Sequence, residues 1–270
     1  MSEAVRGVDV VVAGRTRALN TFFPSVTRLN NGELLCVFYY SPAHVHPRGK
    51  IALVRSRDDG NSWTLPEVII DTPNDDRDPH IVQLKDGRLI LSWFTTYHAM
   101  EPRISKSFVA ISNDYGWTWS KPIAVSSEGF ATSEKVLELD DGTLLLPVYD
   151  SRNSILFESR DGGEHWEQVA NITKAEKMNA GITFNETALA SLGDDHIVAV
   201  MRTAGGDGYA YISHSYDRGR SWDQPVALPV KAHAPDLLVL DRGVFLTYGS
   251  IAFPGRWVAA VLGDPKGNFT

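Results

Sequence analysis

Five points in the 270-residue chain put polar, charged or aromatic side chains where an apolar strand is about to begin: Phe22-Phe23, Arg77-Asp78, Thr132-Ser133, Asn185-Glu186 and His233-Ala234. The apolar runs that follow end at Tyr39-Tyr40, Phe94 to His98, Tyr149-Asp150, Arg202 and Tyr248. Ionisable groups suit a sheet core badly, so several of these residues are expected to face a shared opening. The sharpest pair is Glu186 and Arg202, sixteen residues apart. A carboxylate can act as a base, and a guanidinium fork can grip a substrate carboxylate through two bonds. The same two side chains can equally form an ion pair that ties two strands together. Arg77 supplies a further cation, and Asp78 beside it is either a hydroxyl acceptor or half of a salt-bridged turn. Five of the eight histidines, His44, His46, His80, His98 and His233, fall on the same side. Imidazole exchanges protons near neutral pH.

The elements that must position these groups repeat. The starts at Phe22, Arg77, Thr132, Asn185 and His233 are separated by 55, 55, 53 and 48 residues. Asn31-Gly32, Asp86-Gly87 and Asp141-Gly142 are strong two-residue hairpin signals. Between the starts lies a second phrase, Ser-x-Asp-x-Gly-x-x-Trp, present four times: Ser56–Trp63, Ser112–Trp119, Ser159–Trp166 and Ser215–Trp222. Its Asp carboxylate can accept backbone N–H groups of a turn, its Gly permits positive φ, and its Trp lays an apolar face on neighbouring strand. Each period then reads strand, hairpin, strand, loop, strand, turn, strand; the first has segments near Val26–Leu29, Leu34–Tyr39, Ile51–Arg55 and Val68–Ile70. Helical periodicity is nearly absent, with a short temptation around Thr173–Met178. Such a period suits the four-stranded antiparallel blades of an all-β propeller occupying residues 1–270 as one domain.

Bulk properties narrow the function. A net charge of −7 without a Lys/Arg run disfavours nucleic acid and anionic membrane as partners. The single cysteine, Cys36, sits in an apolar run and excludes an intrachain disulfide framework. No segment reads as a secretory signal or a membrane span, so the expectation is a soluble chain, cytoplasmic unless a signal has been removed, in which case secreted or periplasmic. No phosphate loop, dinucleotide fingerprint or cysteine–histidine ligand set implies a cofactor, and no metal is expected.

The four phrases are Asp-boxes, and with them the chain resembles the sialidase superfamily, whose propellers have six blades. About five blades are visible here; the fifth ends near a degraded box at Asp264 and Gly267. The resemblance therefore implies a missing last blade, a different closure, or completion by another subunit. In that family a Glu entering one blade activates a nucleophilic tyrosine, and an arginine ending the second strand of that blade belongs to a triad that holds the substrate carboxylate. Glu186 and Arg202 resemble that pattern, and Tyr248 followed by Arg256 resembles the next feature. The departures are equally specific. Phe22-Phe23-Pro24 stands where the family has Arg-Ile-Pro, and the first-blade loop Ser41–Lys50 has no Asp to serve as acid. The family's tyrosine would fall beyond Thr270. The resemblance implies a glycoside hydrolase acting on an acidic, sialic-acid-like or other polar terminal sugar, with a non-standard acid. Candidate catalytic residues are Glu186, His46 and Tyr248; candidate substrate-binding residues are Arg202, Arg256, Arg77, Asp78, His80, His98 and His233. A polysaccharide lyase acting on uronic-acid glycans and a non-catalytic glycan-binding propeller are the alternatives.

Overall fold

A computed structural model describes residues 19–174, 181–206, 208–251 and 257–269. Arg256 and most of the tempting stretch after Thr173 lie outside them. Among the described residues there are nineteen strands and no helix. Blade one comprises β1 (Asn20–Arg28), β2 (Leu34–Ser41), β3 (Lys50–Ser56) and β4 (Glu67–Ile70). Blade two comprises β5 (Asp75–Gln83), β6 (Leu89–Tyr97), β7 (Ile104–Ser112) and β8 (Ile123–Ala124). Blade three comprises β9 (Leu137–Glu138), β10 (Leu144–Tyr149), β11 (Ser154–Ser159) and β12 (Glu167–Asn171). Blade four comprises β13 (Thr183–Gly193), β14 (His196–Ala204), β15 (Tyr211–Ser215) and β16 (Val226–Ala227). The fifth sheet holds β17 (Ala232–Leu240), β18 (Gly243–Ser250) and β19 (Trp257–Leu262). Each sheet is antiparallel, with its strands in chain order.

The core lies between blades. In blades one to four the second and third strands are largely buried along their length, because these sheets are covered on both sides. Leu35, Leu53, Leu89, Leu91 and Trp93 fill the space between blades one and two, and Ile90, Val109, Leu144 and Leu146 that between two and three. Leu145, Leu156, Ile197 and Ala199 do the same for blades three and four, and Val198, Val200, Val244 and Leu246 for four and five. The outward faces differ: Val26 on β1 is 60% exposed, Leu238 on β17 56% and Val258 on β19 90%.

The boxes close the turns between third and fourth strands. In the first, the Gly60 N–H donates to Ser56 Oγ at 2.8 Å and the Ser62 N–H to Asp58 Oδ1 at 2.8 Å. The Trp63 indole N–H donates to the Gly60 carbonyl at 3.0 Å. The same serine and aspartate bonds recur around Asp114, Asp161 and Asp217. Bonds from the Thr118 hydroxyl and N–H hold the Asp114 carboxyl down at about 2. The indoles pack on the cores: Trp119 on the one between blades one and two, Trp166 and Trp222 on the next two. Asp264 turns the same way, accepting the Asn268 N–H at 2.8 Å with Gly267 at φ +80°.

Candidate active site

Antiparallel order puts the start of each first strand, the end of each second strand and the loop to the third at one mouth. At that mouth four first strands carry a β-bulge. Pairing with the second strand slips between Phe22 and Ser25, Arg77 and His80, Phe184 and Thr187, and His233 and Asp236. In three of them the bulged residue precedes proline and has positive φ: Phe23 at 51°, Asp78 at 51° and Ala234 at 44°. Proline cannot donate to the ladder and fits where the ladder is broken. Each such non-glycine conformation costs about 1–3 kcal/mol, and the bulge re-aims the neighbouring side chains.

Asp78 is the centre of what these bulges gather. Ser133 donates to Asp78 Oδ2 at 3.0 Å and shares a hydrogen bond of 3.1 Å with the Tyr149 hydroxyl. Burial pushes the Asp78 carboxyl up to about 7, against the pull of Arg77. Burial also raises the Tyr149 phenol, and the nearby charges of Asp78 and Glu186 add to this. Glu186 Oε1 is ion-paired with Arg202, and its Oε2 accepts the Ala234 N–H at 2.8 Å. Side chains or backbone from blades two to five therefore meet in one polar cluster. Arg77 Nε and Asp78 Oδ1 face each other at 3.8 Å, too far for a hydrogen bond. Both are buried without a partner, as are Asn185 Oδ1 and Arg202 Nε. Such atoms are few in folded proteins, and four of them belong to Arg77, Asp78, Asn185 and Arg202.

Beside Asp78 the wall is aromatic. The Arg77 guanidinium lies 5.3 Å from the Tyr39 ring centre, 5.6 Å from Phe23 and 5.7 Å from Phe94. Phe22 and Phe23 are half-exposed, and the His44 ring meets both edge-on, at 5.8 and 5.1 Å. Asp75, fully buried, accepts the Tyr39 hydroxyl at 2.8 Å and bonds His98 Nε2 at 3.0 Å. Arg77 Nη1 lies 3.5 Å from the same carboxylate. Burial, and the bond to Asp75, push the Tyr39 phenol up to about 12. Gly49 lets the next loop lie across that ring, since a Cβ there would sit 2.0 Å from Tyr39 Cε2.

Deeper in the channel lies a second layer. Burial lowers His80 to about 4, which leaves it neutral at pH 7, and raises Glu134 well above the usual carboxylate range. Lys135 of blade three is ion-paired there with Asp236 of blade five.

The candidates expected from the sequence divide accordingly. Glu186, Arg202, Arg77 and Asp78 come together, and His98 joins them through Asp75. His80 belongs to the deeper layer. His233 opens β17, opposite Gly249. His46 stays within its own loop, its Nδ1 accepting the Arg48 N–H at 3.2 Å. Tyr248 packs on the core between blades four and five; the tyrosine at the cluster is Tyr149. Among the described residues no group of three or more His, Cys, Asp or Glu could hold a metal ion. The residues missed are Asp75, Tyr39, Ser133 and Tyr149. For three of these a signal existed, because Ser133 is a strand start and Tyr39 and Tyr149 are strand ends. Asp75 lay two residues before the start assigned at Arg77.

The BNR repeat-like domain family matches residues 92–252, more than half of the chain. A curated sialidase from Bacteroides fragilis (strain YCH46) is 23% identical over 257 residues, covering 81% of this chain and 46% of the relative. The chain thus spans about half the length of that relative. A protein of unknown function from Dyadobacter fermentans DSM 18053 has a similar structure, with a TM-score of 0.85 and 24% identity over 95% of this chain and 82% of the other. The NanB sialidase from Streptococcus pneumoniae superposes with a TM-score of 0.69 at 13% identity, over 95% of this chain and 64% of that one. With its Asp-boxes, its five radially arranged sheets and these likenesses, the chain belongs to the BNR repeat-like domain family and is a sialidase-like β-propeller.

Proposed function

We propose that the protein is a glycoside hydrolase that releases a polar terminal sugar, with Asp78 as proton donor and Glu186 as its carboxylate partner. The observation that supports this most is the contrast between two carboxyl groups on neighbouring parts of one cluster. Burial pushes Asp78 up to about 7, so it still carries a proton near neutral pH. Glu186 is ion-paired with Arg202. Glycosidic cleavage needs that division of labour between a protonated acid and a carboxylate.

In this reading Asp78 gives its proton to the bridging oxygen as the bond from that oxygen to the anomeric carbon breaks. The bonding pair leaves with the alcohol. A water then adds to the anomeric carbon and its proton passes to Glu186, so sugar and alcohol are the only products. Asp78 thereby takes the acid's part expected of His46.

A panel of fluorogenic glycosides, neutral and acidic, tests this on the wild type, Asp78→Asn and Glu186→Gln. Release by the wild type should fall by roughly 10²–10⁴ in each variant. A folded wild type that releases nothing from any glycoside refutes the hydrolase. An unsaturated, ultraviolet-absorbing product from a uronic-acid glycan would point to the lyase instead.

A further inference from the structure

Among the described residues, the two guanidiniums of the polar cluster at the mouth already face acidic groups. Arg202 is ion-paired with Glu186, and Arg77 lies 3.5 Å from the Asp75 carboxylate and 3.8 Å from the Asp78 carboxyl group. A substrate carboxylate at either would put a second anion on one cation in a buried site, which is costly. The remaining arginines of the mouth loops among the described residues, Arg48, Arg103 and Arg152, are exposed, where an ion pair gains little. The position expected to carry a third cation is Phe22. It forms, with Phe23 and the exposed His44, an aromatic surface beside Arg77. Aromatic faces carry the negative end of a quadrupole. They attract the weakly positive C–H bonds of a sugar ring and repel a carboxylate.

We infer that the ring bound at this mouth is that of an uncharged sugar. Its C–H face lies on Phe22 and Phe23, and its hydroxyl groups, which both donate and accept, bond the carboxylates and guanidiniums that a carboxylate could only compete with. This rests on the glycosidase reading, but binding can be measured without turnover. The test is ligand-observed NMR on the whole chain, with a mixture of 4-nitrophenyl glycosides of neutral pentoses and hexoses, a 4-nitrophenyl glucuronide and sialyllactose. Saturation should pass to one or more neutral glycosides and not to the two acids. Phe22→Ala should weaken that binding by about fivefold or more with its cooperative melt retained. Phe22→Arg should raise the affinity for the acids relative to the neutral sugar. Tighter binding of sialyllactose or the glucuronide by the wild type overturns the inference. So does binding of no sugar, or unchanged neutral binding in a folded Phe22→Ala. Neutral sugars that bind but are never cleaved would leave the inference standing and sink the hydrolase. Cleavage confined to the acidic glycosides would do the reverse.

Discussion

The two ends of each blade are built on opposite rules. At the outer turns four copies of one phrase make the same bonds: Ser159 Oγ takes the Gly163 N–H at 2.9 Å as Ser215 Oγ takes the Gly219 N–H at 2.8 Å. At the inner mouth the same repeat delivers two phenylalanines from blade one, Arg77 and Asp78 from blade two, and Glu186 from blade four. Repetition follows where every blade needs the same thing, a closed turn and a tryptophan on the core. Divergence follows where five starts surround one object. The mouth has positive φ at Phe23, Asp78 and Ala234 and buried polar atoms without partners. The outer end has its own: beside the box glycines, Asp59, Tyr115 and Arg218 stand at φ 56°, 61° and 65°, and Arg55 Nε and Nη2 and Trp119 Nε1 are buried without partners, so the two ends differ in which side chains they present.

If the comparison is right, the largest effects on activity come from the mouth with little loss of fold. Asp78→Asn should cut glycoside release by roughly 10²–10⁴. Its pH signature sharpens the claim. The wild-type rate should fall as pH rises through about 7, where the acid loses its proton, and this limb should vanish in Asp78→Asn. Stability has the matching sign. The folded Asp78 carboxyl titrates above its unfolded value, so the folded state binds more protons between about 4 and 7 and loses stability as pH rises through that window. Asp78→Asn, always neutral, should therefore gain in melting temperature relative to wild type from pH 4 to 7, with the difference level above that. A constant difference across the range would show that Asp78 is not held protonated by burial.

The outer ends should behave in the opposite way, with stability moving and specific activity not. Arg55 is buried on β3, donates to the Tyr115 carbonyl at 2.7 Å, and stacks 3.9 Å over the Trp117 ring of the second box. Glu33 lies 3.6 Å from it. Arg55→Ala should cost about 3 kcal/mol, read by urea denaturation, because it leaves Glu33 with only the exposed Arg57 and opens the seam between blades one and two. Gly219→Ala should cost about 1–3 kcal/mol, since it puts a side chain at φ +85°. Its Cβ would also sit 2.5 Å from Leu156 Cδ2. Either variant, once folded, should cleave at the wild-type rate. A box variant that lost activity per folded molecule would break the division between the two ends.

The same division explains what the sequence disclosed. A box is legible because Ser, Asp, Gly and Trp act within eight residues, and the propeller followed from four boxes and five evenly spaced starts. Glu186 with Arg202 was legible as a pair because one hairpin joins them. The rest of the mouth is held by partners far apart in the chain: Ser133 is 55 residues from Asp78, and Ala234 is 48 from Glu186. No local pattern says which start faces which. The bulges were nearer to hand. Pro24, Pro79 and Pro235 lie inside strands, where proline demands a broken ladder, and that signal marks Asp78 as a re-aimed side chain. What buries Asp78, and so sets its proton affinity, depends on packing between blades.

The weakest prediction concerns an ion pair at the outer rim. Arg28 Nη1 meets Asp59 Oδ1 at 2.7 Å, and the two side chains are 56% and 75% exposed. Each already has water as an alternative partner, so forming the pair costs side-chain entropy for little gain. Asp59→Asn should change stability by at most about 0.5 kcal/mol, and the difference should shrink as salt is added. Asp59 stands next to Asp58, whose carboxylate accepts the turn's N–H groups. Two adjacent aspartates on one turn thus test whether the box works through its backbone bonds or through its surface charge. If Asp59→Asn destabilised the chain as much as Gly219→Ala does, charge rather than hydrogen bonding would hold the outer turns. The likeness of the four boxes would then need another cause.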